Sequence, residues 1–421
     1  MDPPDRELEE PSPGSAVPSR IRLLIGALAI TTTVGYGVLT YAFSALLGPM
    51  SAELGISTTT AVGASTTAVL VSGLVSIPVG RWLDAHGGRA LMTAGSVLAA
   101  IAVLGWSQVH NTVQLYAVFI AIGIASAMVL YPPAFAVVVA VTAPERRTNS
   151  ILTITLVGGL ASSIFIPLTG YLAHAHGWRT ALVILAGAVA VITVPLHLIA
   201  VRRRPPRPTV GVRHSTSPAR VLNDPGFWLL AGAFVVHSAA LAVISVHLVL
   251  YLVSLGHPPA RAASLAGLLG LLSVTGRLVT SVSARWLPMA TVTAVILFVQ
   301  GIAIGLLPVL GRQVAGAVGC LVLFGLGFGV SSIATPAILL DRYGATGFGT
   351  IAGMLGTPTT IAKAAGPLAG AGFAEAFGYR PLIIAVAVAC AVAATALALT
   401  RRLLPTTPEP TPEPTPGPTR S

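Results

Sequence analysis

Lys363 is the only lysine of the 421-residue chain, and it stands in an apolar stretch, Phe348 to Phe373, that holds no other ionisable residue. Arg277 stands likewise in the apolar run between Arg261 and Arg285. A cation at the centre of a membrane helix costs roughly 2.5–3.5 kcal/mol on insertion scales. Neither run carries an Asp or Glu at that depth. The two charges therefore imply a partner from outside the chain, and a small organic anion is the simplest one. An arginine offers a planar fork that grips a carboxylate bidentately, and a lysine offers a compact point charge. The helical neighbours of Lys363 include Gly356, Thr359, Thr360, Gly366, Pro367 and Gly370, and those of Arg277 include Gly270, Ser273, Thr280 and Ser281. Small and polar faces of this kind suit a cavity wall. The competing structural readings are snorkelling of Arg277 toward the end of its helix, about 12 Å away, and a packing role for Lys363.

Other residues could join such a site. Thr33, Tyr36, Gly37, Tyr41 and Ser44 give the first apolar run a polar-aromatic face, where Tyr36 or Tyr41 could wall a substrate or simply pack. His237 and His247 are candidates for a proton relay, since histidine titrates near neutral pH; a packing role competes for both. His174, His176 and His257 are too loosely spaced for a metal site. Cys320 and Cys390 lie in apolar runs and form neither a disulfide framework nor a CxxC site. The GLGFG segment, Gly325–Gly329, lacks the preceding strand and following lysine of a phosphate loop, and reads as close helix packing within one span. No nucleophile–base pair stands out, so no enzyme is expected, and neither cofactor nor metal is implied.

These residues must be positioned by membrane helices. The chain is 54% hydrophobic and only 9% charged, against about 25% charge in soluble domains. About twelve spans of membrane length follow one another. The net charge of +11 does not indicate nucleic acid, because the arginines cluster between apolar runs rather than on a basic face. With an even number of spans, Arg20, Arg22, Arg81, Arg89, Arg146, Arg147, the Arg202–Arg220 cluster, Arg285, Arg342, Arg401 and Arg402 share one side. The other side holds only Arg179, Arg261, Arg312 and Arg380. The positive-inside rule makes the richer side cytoplasmic, with both termini there. Residues 1–20 are acidic and Pro-rich, without the pattern of a signal peptide. Residues 202–224 read as a basic linker between a bundle at 21–201 and one at 225–402, and 403–421 as a Pro-rich disordered tail.

The two bundles repeat. Gly55 in ELGIS corresponds to Gly256 in SLGHP, and PLTG…GWR (Pro167–Arg179) to PLAG…GYR (Pro367–Arg380), at an offset near 200 residues. A parallel six-plus-six repeat puts a substrate site near the midplane between the halves. The loop GRWLDAHGGR resembles the signature of the major facilitator superfamily through Gly80, Asp84, Gly87 and Arg89, with Ala85 departing from it. The resemblance implies a loop that helps hold the halves together in one state. Asp84, at a helix end, is expected to pair with an arginine there. More narrowly, YAFSALLGPMSAELGIS and IPLTGYLAHAHGWRTAL resemble the monocarboxylate transporter and oxalate:formate antiporter group. By that resemblance Arg277 in span eight and Lys363 in span eleven occupy the places that hold substrate carboxylates. Ser273 stands where the monocarboxylate transporters carry an acid, and their functional lysine in span one is missing.

The resulting expectation is an all-α polytopic membrane protein with the major facilitator fold. It is expected to be multi-pass in the plasma or inner membrane. It would carry small carboxylates or related organic anions by alternating access, through exchange or proton-linked symport. Arg277 and Lys363 would face each other across the second half and favour a dianion. Its partners would be the anionic substrate and the lipid bilayer, with no nucleic acid and no obligate protein. The alternatives are an exporter of a drug or secondary metabolite, and a transport-inactive membrane sensor.

Overall fold

The computed structural model describes residues 19–201 and 218–402. The tail expected at 403–421, and most of the tail at 1–20 and of the linker at 202–224, lie outside the described residues.

Every extended element among the described residues is a helix. The first bundle comprises α1 (Ser19–Leu54), α2 (Thr58–His86), α3 (Gly88–Ser107), α4 (Thr112–Val141), α5 (Pro144–His176) and α6 (Trp178–Ala200). The second comprises α7 (Pro225–Ser254), α8 (Pro259–Ser283), α9 (Met289–Leu310), α10 (Val314–Gly325 with Ser331–Tyr343), α11 (Phe348–Phe377) and α12 (Tyr379–Arg402). Ten of the twelve contain an apolar segment long enough to cross a membrane. The exceptions are α10, which is broken, and α11, which is rich in Gly, Thr and Ala and carries Pro358 and Pro367. The expectation of one continuous span over GLGFG is corrected: Leu326–Val330 is a turn between two shorter helices. Gln300 of α9 fills the break, donating to the Phe324 carbonyl at 2.7 Å. The glycines still serve close packing. A Cβ on Gly325 would press on Leu272, and one on Gly327 would meet the Gln300 amide.

The repeat is visible in the turns. Gly55 and Gly256 end helices with φ of 63° and 102°, and Gly177 and Gly378 have φ of 80° and 87°. These left-handed positions favour glycine. Motif and conformation therefore recur together at the same offset.

Three apolar clusters reveal how the halves meet. One draws on both bundles, from Leu24, Leu83, Leu91 and Phe135 to Phe227, Leu339, Phe348 and Ile351. It lies toward the arginine-rich end. A second belongs to the first bundle alone, around Trp106 and Phe119. A third belongs to the second bundle alone, around Leu248 and Phe324. Direct contact between the halves follows the same division. The arginine-rich parts of α2, α4 and α5 pack on α11, α10 and α8. Residues 42–54 of α1 and 161–176 of α5 make no substantial contact with the second bundle. The molecule is closed at its arginine-rich end and parted at the other.

The acids agree with the composition. Among the described residues, Glu53, Asp84, Glu145, Asp224, Asp341 and Glu375 all lie at helix ends or caps.

Candidate functional site

Arg277 lies where the halves meet. Its Nη1 donates to the Thr155 carbonyl of α5 at 2.7 Å. α5 bends at this point, with Gly159 and Leu160 interrupting the helix. The same carbonyl also accepts the Tyr131 hydroxyl at 3.3 Å. The paired glycines make room for both side chains: a Cβ on Gly158 would strike the Tyr131 hydroxyl, and one on Gly159 would strike Arg277 Nη1. On the other side, a Cβ on Gly329 would lie 2.8 Å from both Cγ and Nε of Arg277. The break in α10 therefore packs directly on the arginine. Nε is buried and has no hydrogen-bond partner. Arg277 does not snorkel out of the bundle; it turns inward to the opposite half.

Tyr36 and Tyr41 belong to this neighbourhood. Together with Tyr131 they lie within electrostatic range of the Arg277 guanidinium. The Tyr36 and Tyr131 rings are 4.6 Å apart. Five residues separate Tyr36 from Tyr41, about 140° around an ideal α-helix. Here Gly37–Tyr41 is a π-helical turn, whose i→i+5 bonding brings residue i+5 over residue i. Gly37 permits the turn to lie against the Phe165 ring. The π turn thus brings to one side two tyrosines that a regular α-helix would set well apart, on the shared face expected of them. Tyr131 was not identified from the sequence; the glycine pair opposite it is the signal that could have drawn attention to it.

Lys363 is placed differently. α2 and α11 seal along Gly80–Gly349, Ser76–Gly353 and Gly73–Thr360, and the Thr357 hydroxyl donates to the Gly73 carbonyl at 2.6 Å. Lys363 is one turn beyond the last of these contacts, on the parted side. It is surrounded by protein at depth, yet its side chain is exposed. Both hold for a side chain standing in an open cleft. Among the described residues nothing hydrogen-bonds its ammonium, and no charged group is near enough to act on it. The structure thus groups Arg277 with Tyr36 and Tyr41, and Lys363 has no charged group acting on it among the described residues.

The histidines divide. His237 is fully buried with neither ring nitrogen bonded. His247 shares a hydrogen bond with the Pro367 carbonyl of α11 at 3.0 Å, joining α7 to the helix that carries Lys363. His197, overlooked in the sequence, is the best-bonded one. Its Nδ1 is 2.7 Å from the Ser96 hydroxyl and its Nε2 3.1 Å from the Thr31 hydroxyl. Beside it lies a cavity of about 10 Å³, also lined by Gly35, Leu39 and Thr193, large enough for about one water.

The loop aspartate departs from expectation. Asp84 pairs with no arginine among the described residues. It accepts the backbone N–H groups of Gly349 at 2.9 Å and Thr350 at 2.7 Å, and the Thr350 hydroxyl at 2.6 Å. These groups open α11, whose first N–H groups lack intrahelical partners and carry the positive end of the helix dipole. The acid of one half therefore caps a helix of the other. Asp224 plays a local role: it caps α7 through Gly226 N–H at 2.8 Å and pairs with Arg342 at 3.0 Å.

Comparisons with known proteins agree with this architecture. The family model described as Major Facilitator Superfamily matches residues 28–358. An "MFS-type efflux pump" of Mycolicibacterium smegmatis is 33% identical over 238 residues, which is 54% of this chain and 52% of the relative. The match thus spans about half the length of that relative. Among solved structures, a variant of the E. coli fucose:proton symporter FucP superposes with a TM-score of 0.68 over 90% of this chain and 98% of its own. FucP in an outward conformation gives 0.69 over 90% and 99%. At 14% identity both likenesses show the fold alone.

Proposed function

This chain belongs to the major facilitator superfamily, and from that premise we propose that it is a secondary transporter of small carboxylates or related organic anions. It works by alternating access in the plasma or inner membrane, with the arginine-rich end cytoplasmic. The observation that carries the reading is the pair of intramembrane cations without a carboxylate partner. Lys363 stands uncompensated in the cleft, and Arg277 lies deeper, beside three tyrosines. Ionisable groups within spans face cavities and mark substrate pathways. A carboxylate would supply the missing countercharge, with the tyrosines as walls. All described acids lie at helix ends, so coupling runs through exchange of anions, or through a proton carried by substrate or histidine.

The test is uptake by proteoliposomes of a panel of mono- and dicarboxylates, with and without internal anion. Arg277→Gln and Lys363→Gln should each lose uptake while still inserting in the membrane. Uptake like wild type in both variants would reject the anion site.

A second reading has its own support, because the Mycolicibacterium relative is named an efflux pump. Under that reading the chain exports a drug or secondary metabolite. Everted vesicles loaded with cationic dyes and with carboxylates would separate the two: dye accumulation that survives Lys363→Gln favours export of drugs.

A further inference from the structure

In the conformation seen, both ways of gripping a carboxylate compete with a contact that Arg277 already makes. End-on capture draws on Nη1 and Nη2, and one N–H of Nη1 is engaged by the Thr155 carbonyl. Side-on capture draws on Nε and Nη2, and Nε is buried against Gly329. A guanidinium that turns to a carboxylate gives up the bond to α5, the packing against the break in α10, or both. The first contact joins the two halves, and the second lies within the second bundle.

We propose that Arg277 is an anion-released latch: in the empty protein it ties α8 to the bend of α5, and bidentate capture of a carboxylate pulls it away and frees the closed end to part. The proposal rests on the anion reading above and deepens it. Gly159 and Gly329 are its positioning residues, since each vacates the space that the guanidinium fills. Tyr131 competes for the same carbonyl, so that Thr155 keeps a partner after the arginine leaves. The exchange has a favourable balance. A charge-assisted bond to a neutral carbonyl is replaced by a paired bond to a carboxylate, which is stronger and geometrically selective. A ligand that contacts only Lys363 would leave the latch closed, because it would have no differential affinity for the two states.

The experiment measures the closed end directly. Spin labels are placed on cysteines introduced at the exposed positions Ala85 and Arg285, one on each half, and the native Cys320 and Cys390 are buried. Distances are recorded in lipid nanodiscs without ligand and with oxalate or succinate. Wild type should be mostly closed without ligand and should open with a probe. Arg277→Gln and Gly159→Val should shift the ratio toward open by at least about tenfold without ligand, as loss of a charged hydrogen bond implies. Arg277→Lys keeps a single donor for Thr155 and loses the fork. It should stay closed and fail to open with the probes, a split that simple misfolding would not produce. Equal closed fractions in ligand-free wild type, Arg277→Gln and Gly159→Val would overturn the latch, whatever the uptake assay shows. Opening of wild type and Arg277→Lys alike by the probes would overturn release through the fork. A ligand-free shift with neither opening nor uptake for any carboxylate would uphold the latch and reject the carboxylate reading.

Discussion

At the scale of single residues, a buried polar group is decided by its partners. His197 bonds two hydroxyls from two other helices. Removing it orphans one of them outright, because Ser96 makes no other side-chain hydrogen bond among the described residues, while Thr31 keeps the Leu28 carbonyl at 3.3 Å. His197→Leu should therefore destabilise the first bundle by about 1–3 kcal/mol, the cost of an unsatisfied buried group. Thermal unfolding in detergent should show this, with little change in substrate affinity. His237 gives the contrast: it has no bond to lose, and His237→Phe should be nearly neutral in the same assay. Arginine and lysine were easy to find as anomalies in apolar text. Tyr131 and His197 were not, because a lone tyrosine or histidine in a span is unremarked until its neighbours are known.

At the scale of elements, charge at helix ends controls the join between halves. Asp84 satisfies N–H groups of α11 from the far side of the interface. Loss of a cap costs about 0.5–2 kcal/mol, and here the loss falls only on the closed state. Asp84→Ala should move the closed-to-open ratio by roughly twofold to thirtyfold, read by the same label pair. The expected Asp–Arg pair failed for a physical reason: unpaired N–H groups at a helix start compete well for a carboxylate and need no side-chain ordering. Asp224 works within one half. Burial pushes its carboxyl up, but the hydrogen bonds from Arg342, Tyr343 and Gly226 outweigh this and hold it below the usual carboxylate range. Its contribution is therefore complete above the unfolded value, about 3.9, and is lost as pH falls through the lower folded value. The stability gap between wild type and Asp224→Asn should be constant from about pH 5 upward and shrink below about pH 4, in thermal melts across that range.

At the scale of the whole molecule, one end is closed and the other parted. Among the described residues, only the apolar cluster toward the arginine-rich end draws on both bundles. Lys363 is just past the seal and exposed. Lys363→Cys should react with a membrane-impermeant maleimide applied from the arginine-poor side and not from the other. In intact cells the positive-inside rule makes this the outer side. Labelling solely from the arginine-rich side would contradict both the seal and the orientation.

The sequence by itself determined the helical, membrane-spanning class, the twofold repeat of six helices and the side on which the arginines gather. Each is a sum over many local residues, and such sums survive errors at any one of them. It also singled out Arg277 and Lys363, since an ionised group in an apolar run is visible without its surroundings. Tertiary structure alone decided what those groups touch. The Thr155 carbonyl and the first N–H groups of α11 are backbone, identical in every residue, so no pattern of side chains announces them. The π turn that aligns Tyr36 with Tyr41 is a change of helical period, and it lies where the Phe165 ring of another helix packs against Gly37. The bond of Arg277 to the Thr155 carbonyl belongs to one arrangement of the two halves. The sequence encodes both halves, but the contacts between them choose the arrangement.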